Sequence, residues 1–91
     1  MTRPADLTVV FGLAVAALRD AGFGTEAEQL VEASRLPTTS SLEIVGEIGI
    51  AALRVQAGIG HLLPLAARRR LARLLREVRR SWPGLELEPG A

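Results

Sequence analysis

The chain has 91 residues and a mass of 9.7 kDa, which is enough for one domain with a modest hydrophobic core. Hydrophobic residues account for 48% of it, a share that is typical of folded proteins and argues against disorder. Cysteine and lysine are absent, histidine occurs once, and the formal net charge is +1. The composition therefore excludes disulfides, cysteine-ligated zinc and any site that needs two histidines, and the net charge alone indicates no polyanionic partner.

Capping and turn residues predict two helices in the first part of the chain. The first is expected from residue 4 or 5 to residue 21, because proline suits the first helical position and Gly22 the residue just past the end. The second is expected over residues 26–35, where Thr25 and Glu28 have the spacing of a capping box.

The same signals predict two further helices. The third is expected over residues 41–57, opened by a second capping box of Ser40 and Glu43 and stopped by Gly58. The fourth is expected over residues 64–82, because a proline stands at its start and the Pro-Gly pair after it ends the helical pattern.

These elements predict an all-α fold. A single helical domain is expected over residues 1–84, with residues 85–91 as a short C-terminal tail and the glycine-rich residues 58–61 as the most flexible internal loop. The expected architecture is a small four-helix bundle, or a three-helix core with the short second helix packed across it, and the third helix lies at the centre. The predicted core consists of Leu7, Val10, Phe11, Ala14, Leu18, Leu30, Val31, Leu42, Val45, Ile48, Ala52, Val55, Leu71, Leu74, Leu75, Val78 and Trp82.

A loop of serine and threonine followed by a glutamate opens the third helix, in the segment of residues 39–43. Around this segment, residues 21–55 resemble small all-helical bacterial proteins whose apolar helix begins in the same way. The resemblance implies an all-α fold, and it brings no activity or site with it.

No segment is long enough to cross a membrane as a helix. The longest apolar run covers residues 9–18, about 15 Å of helix against about 30 Å of bilayer hydrocarbon. Its length also fits the hydrophobic region of a secretory signal, but the flanking residues are barely cationic. We therefore expect a cytoplasmic protein.

The first and third helices are apolar over most of their circumference. On the third helix, Glu43, Glu47 and Arg54 form a polar stripe only about 40° wide. Because a four-helix monomer cannot enclose two such helices, we expect an exposed apolar patch that forms a homo-oligomer, most simply a dimer. The predicted oligomer interface consists of Val9, Leu13, Ala16, Ile44, Gly46, Gly49 and Ile50.

No constellation of residues predicts catalysis. His61 has no carboxylate near it in the sequence, so it indicates neither a metal site nor a general base. The pairs Glu28 with Glu32 and Glu43 with Glu47 share a helix face, but solvated helix faces explain them without a bound cation. We therefore expect no enzymatic activity, no catalytic residue, no cofactor and no metal.

Arginine is concentrated in the fourth helix. Residues 61–82 contain seven arginines and one glutamate, a net charge of +6, so the rest of the chain sums to −5. Arginine binds phosphate in a bidentate manner, and a row of arginines can follow a phosphate backbone. The near absence of aromatic residues for base stacking weakens this interpretation. The residues predicted to bind an anionic partner are Arg68, Arg69, Arg73, Arg76 and Arg80.

These features predict a non-enzymatic interaction module, a small helical adaptor, regulator or inhibitor that self-associates through apolar helix faces. Its arginine-rich helix is expected to be a second surface, for an acidic protein or for nucleic acid. The alternative is a nucleic-acid-binding protein, whose binding would weaken steeply as the salt concentration rises.

Overall fold

The computed structural model describes residues 4–36 and 41–82, and it confirms the all-α prediction. The helices are α1 (Pro4–Asp20), α2 (Gly24–Ser34), α3 (Ser41–Ile59) and α4 (Leu65–Ser81), with a 3-10 turn, Gly60–Leu62, between the last two. The predicted tail of residues 85–91 and the predicted Ser40–Glu43 capping box lie outside the described residues.

The four helices form a bundle in which each helix packs against two principal neighbours. α1 contacts α2 and α4, and α3 contacts the same two helices. α1 and α3 therefore lie diagonally across the bundle, as do α2 and α4. The prediction that the third helix lies at the centre is wrong, because α3 has the same number of principal neighbours as the other three.

The core lies between the four helices and agrees largely with the predicted set. Its largest fully buried side chains are Leu18, Leu30, Leu63, Leu71, Leu74 and Val78. Leu42 is wrong as a core residue, because it lies in the first turn of α3 with 41% of its surface exposed. Leu7, Phe11, Val31, Val45 and Trp82 are only half-buried.

The predicted core omits five buried hydrophobic residues: Val15, Ala27, Ala33, Leu63 and Ala67. Three of them are alanines, whose burial reflects close approach of neighbouring helices. Such a small side chain contributes little to a hydropathy pattern, so the pattern does not identify it.

α1 ends at Asp20, one residue before the predicted end. Gly22 lies just past the helix, as predicted, and its φ of +91° is easily adopted only by glycine. The Phe23 N–H donates to the Leu18 carbonyl at 2.9 Å and the Gly22 N–H to the Arg19 carbonyl at 3.0 Å. These two bonds are those of a Schellman motif, and they satisfy carbonyls that the helix end would leave unpaired.

α2 begins at Gly24, two residues before the predicted start. The predicted capping box is wrong, since Phe23 is the N-cap and makes no side-chain capping bond. Glu28 instead points towards α1, where its Oε2 lies 3.5 Å from Arg19 Nη2. The bonds of the Schellman motif end at Phe23, so the chain begins α2 directly after the turn.

The chain between α3 and α4 is more regular than predicted. α3 continues through Gly58 to Ile59, so the predicted stop at Gly58 is wrong. The predicted flexible loop of residues 58–61 belongs to the end of α3 and to the 3-10 turn. A glycine ends a helix where it adopts a positive φ, and within the described chain only Gly22 does so.

Candidate interaction surfaces

The outer side of α1 carries an exposed strip that we call the apolar face: Val9, Gly12, Leu13 and Ala16. Val9 is 60% exposed and Leu13 36% exposed, and Gly12 and Ala16 are exposed beside them. On a helical wheel these four residues fall within about 100°. The charged pair Arg19 and Asp20 bounds the strip at its C-terminal end, so three helical turns present no charge to solvent.

One edge of the apolar face borders a groove between α1 and α4. The groove has a volume of about 360 Å³ and is lined mainly by small residues: Leu13, Ala16, Ala17, Asp20, Ala21, Pro64, Ala66, Ala67 and Arg70. Its lining joins the C-terminal half of α1 to the first turns of α4, so the two helices run antiparallel. The groove widens the apolar surface available to a partner.

The structure does not bring the seven predicted interface residues onto one surface. Val9, Leu13 and Ala16 share the apolar face, whereas Ile44 and Ile50 of α3 are half-buried. Gly46 and Gly49 are buried, and α3 lies diagonally opposite α1. The oligomer interface stays a prediction, and its exposed part is the apolar face of α1.

Four of the predicted anion-binding residues form a row on the outer side of α4. Arg69, Arg73, Arg76 and Arg80 are all exposed and fall within about 60° on a helical wheel. We call this row the arginine ridge. Its first and last Cα atoms lie about 16 Å apart along the helix axis, at about 1.5 Å per residue.

Arg68, the fifth predicted anion-binding residue, has a different role in the fold. Its Nη2 donates to the Leu63 carbonyl oxygen at 3.0 Å, and this hydrogen bond is partly buried. The guanidinium thus holds the turn that precedes α4, and Arg68 does not belong to the arginine ridge.

The ion pairs of the described residues leave most of the ridge unneutralised. Arg19 pairs with Glu28, and Arg80 Nη1 lies 3.5 Å from Glu77 Oε1. Glu77 is only 8% exposed, a burial that sequence reasoning missed because its neighbours on α4 are arginines. The acidic α2 packs mainly against α1 and α3, so its carboxylates face away from the ridge.

Three of the remaining carboxylates line an open groove of about 610 Å³ between α2 and α3. Glu26, Glu32 and Glu47 contribute to it together with Arg54, above a floor that includes Ile50. His61 lies apart from this groove, exposed on the 3-10 turn. Within residues 4–36 and 41–82, no group of three histidine, aspartate or glutamate side chains is placed to hold a metal ion.

No family model, curated protein or solved structure matches this chain. Among the residues that the structure describes, no helix combines the length and the apolar character needed to cross a membrane. Inferences about function therefore rest on the two surfaces, the apolar face of α1 and the arginine ridge of α4.

Proposed function

We propose that this protein is a non-enzymatic interaction module, a small helical adaptor, regulator or inhibitor that forms a homodimer through the apolar face of α1. The observation that carries the proposal is the exposure of Val9 and Leu13, 60% and 36%, on a strip without charge. Water around such a strip is released when a second apolar surface covers it, and this release stabilises association.

The apolar face has the composition that a self-complementary contact needs. A two-fold axis brings the same patch of both subunits together, so one patch must supply both protruding side chains and space to receive them. Val9 and Leu13 protrude, while Gly12 and Ala16 leave space beside them. A side chain added at Gly12 would meet no atom within 4 Å, so a partner helix has room to approach closely there.

The neighbouring groove supports the same arrangement. Its alanines, Ala17, Ala66 and Ala67 among them, let a second helix approach α1 and α4 at once. Asp20 and Arg70 stand at its border and provide opposite charges at the rim of the contact, where they fix the orientation of the partner more than its affinity.

Light scattering during gel filtration tests the proposal. The wild-type chain is expected to elute with twice its mass of 9.7 kDa. A Val9→Glu/Leu13→Glu variant is expected to elute as a monomer with an unchanged circular dichroism spectrum, because neither side chain belongs to the core cluster.

The matched control is Leu42→Glu/Leu62→Glu, which adds the same two charges at leucines of similar exposure, 41% and 58%, outside α1. This variant is expected to remain dimeric. A wild-type monomer at every concentration tested would contradict the proposal, and so would dissociation of the control to the same extent as the α1 variant.

A further inference from the structure

The arginine ridge is a row of like charges that the described fold does not balance. Arg73 and Arg76 are three residues apart, and Arg69 and Arg73 are four apart, so their side chains are neighbours on the helix surface. Arg69, Arg73 and Arg76 form no ion pair with any described carboxylate, and only Arg80 reaches Glu77. Like charges three or four residues apart destabilise a helix slightly. An anion bound along the ridge would therefore remove a repulsion that is already present in the folded chain.

The surface between these arginines is shaped to receive an oxyanion. A depression of about 530 Å³ is lined by Ala66, Arg69, Arg70, Ala72, Arg73 and Arg76. Two of these lining residues are alanines, and the other four are arginines. A guanidinium group binds two phosphate oxygens through paired hydrogen bonds, whereas a lysine ammonium acts as a point charge. A depression lined by arginines therefore suits a phosphate group.

The length of the ridge favours a polymer of phosphates over a single one. Its four arginines extend over about 16 Å, and duplex DNA carries one charge per about 1.7 Å of its axis. A regular phosphate backbone therefore meets all four arginines in many registers, whereas an acidic peptide would need carboxylates at matching positions.

Other features of the chain favour a nucleic-acid duplex over single-stranded nucleic acid and over a lipid membrane. Phe11, Phe23 and Trp82, its three aromatic residues, are half-buried and offer no platform on which bases could stack. The apolar strip of α4 is packed in the core through Leu71 and Leu74, so the helix cannot insert that strip into a membrane.

We infer that the arginine ridge binds the phosphate backbone of a nucleic-acid duplex without reading its base sequence. The arginine ridge shares no residue with the apolar face, although its depression and the α1–α4 groove have Ala66 and Arg70 in common. Arg73 lines the depression but not the groove, so a change there tests the ridge separately from the proposed dimer.

Fluorescence anisotropy with a labelled 20-base-pair DNA duplex of random sequence tests the inference. Four phosphate contacts predict that the logarithm of the binding constant falls with the logarithm of salt concentration with a slope of about −3.6. That slope corresponds to an affinity loss of about 150-fold between roughly 50 and 200 mM salt. Arg73→Gln is expected to reduce the magnitude of the slope by about 0.9, because it removes one phosphate contact.

The matched control is Arg54→Gln, which makes the same change in net charge at an exposed arginine of α3. The control is expected to keep the wild-type slope. An equal effect of both variants would overturn the inference, because binding would then follow net charge rather than the ridge.

Three further probes separate the duplex from other anions. A single strand of the same length, polyglutamate, and vesicles of phosphatidylcholine with phosphatidylserine are each titrated under the same conditions. Weaker binding of all three than of the duplex supports the inference. Equal or tighter binding of any one of them overturns it, as does the absence of duplex binding at the lowest salt concentration.

Discussion

α1 and α4 are both 17 residues long and pack against each other, but their outer faces differ. α4 buries leucine and valine on one side and exposes arginine on the other. α1 buries Val10, Ala14 and Leu18 on one side and exposes Val9 and Leu13 on the other. The change in polarity across α4 therefore identifies its inner side, whereas both sides of α1 are apolar.

The difference changes how each outer face interacts with water. An outer face of arginine is compatible with water and needs a partner only to balance its charge. An outer face of valine and leucine is stabilised by any surface that removes it from water, and large patches of this kind are uncommon on monomers. Two neighbouring helices of one small bundle thus present outer faces of opposite character, and each of the two proposals rests on one of them.

Truncation of core leucines is expected to have the largest effect on the free energy of unfolding. It tests whether the buried side of α1 contributes as much to stability as the buried side of α4. Leu18→Ala and Leu74→Ala should each lower the free energy of unfolding by about 2–5 kcal/mol, because both side chains are fully buried and their removal leaves a cavity. Urea denaturation followed by circular dichroism measures this quantity.

The matched controls for that pair are Leu13→Ala in α1 and Leu65→Ala in α4, whose side chains are 36% and 56% exposed. At protein concentrations low enough to populate the monomer, each is expected to change the free energy of unfolding by about 0.5 kcal/mol or less. A loss of several kcal/mol for Leu13→Ala would contradict the placement of the apolar face on the surface.

The contrast between α1 and α4 explains which parts of the fold could be predicted. The buried strip of α4, from Leu71 to Val78, could be predicted from residue spacing alone, because arginines occupy most of the remaining circumference of the helix. The spacing of apolar residues did not predict the position of α3 in the bundle correctly. Its apolar circumference suggested a central helix, whereas the order in which helices pack is decided by contacts between elements distant in sequence.

Helix ends provide the second test, because the direction of the chain after α1 depends on Gly22. Gly22→Ala should lower the free energy of unfolding by about 1 kcal/mol, since alanine is strained at a φ of +91°. Gly58→Ala should raise it by about 0.5–1 kcal/mol, because Gly58 is helical and a Cβ there would meet no atom within 4 Å. Chemical denaturation of both variants measures the difference, and changes of the same sign would contradict the assigned end of α3.

The candidate surfaces were predictable to different degrees. The ridge residues Arg69, Arg73, Arg76 and Arg80 share one helix, so a wheel groups them without any knowledge of the fold. The role of Arg68 could not be derived in this way, because its hydrogen bond reaches back to the turn before α4. The predicted interface combined α1 with α3, and only the packing order reveals that these helices lie on opposite sides of the bundle.

The smallest expected effect concerns the stability that the arginine ridge costs the folded chain. Arg76 has Arg73, Arg79 and Arg80 as neighbours three or four residues away and no carboxylate at those spacings. Arg76→Gln is therefore expected to raise the free energy of unfolding by roughly 0.5 kcal/mol at low salt, since glutamine and arginine have similar helix propensities and only the repulsion is lost. The gain should vanish near 1 M salt, where charges are screened beyond about 3 Å.

Arg54→Gln serves as the comparison, because no charged residue lies three or four positions from Arg54 on α3 and the charged residues that share its groove are carboxylates, so Arg54 lacks the repulsion of the ridge. Urea denaturation of both variants at low and high salt is expected to give a salt-dependent gain for Arg76→Gln alone. A gain in both would mean that the overall charge of the chain is responsible. A loss of stability for Arg76→Gln would mean that the ridge is already neutralised within the fold, and the reason to expect an anionic partner there would disappear.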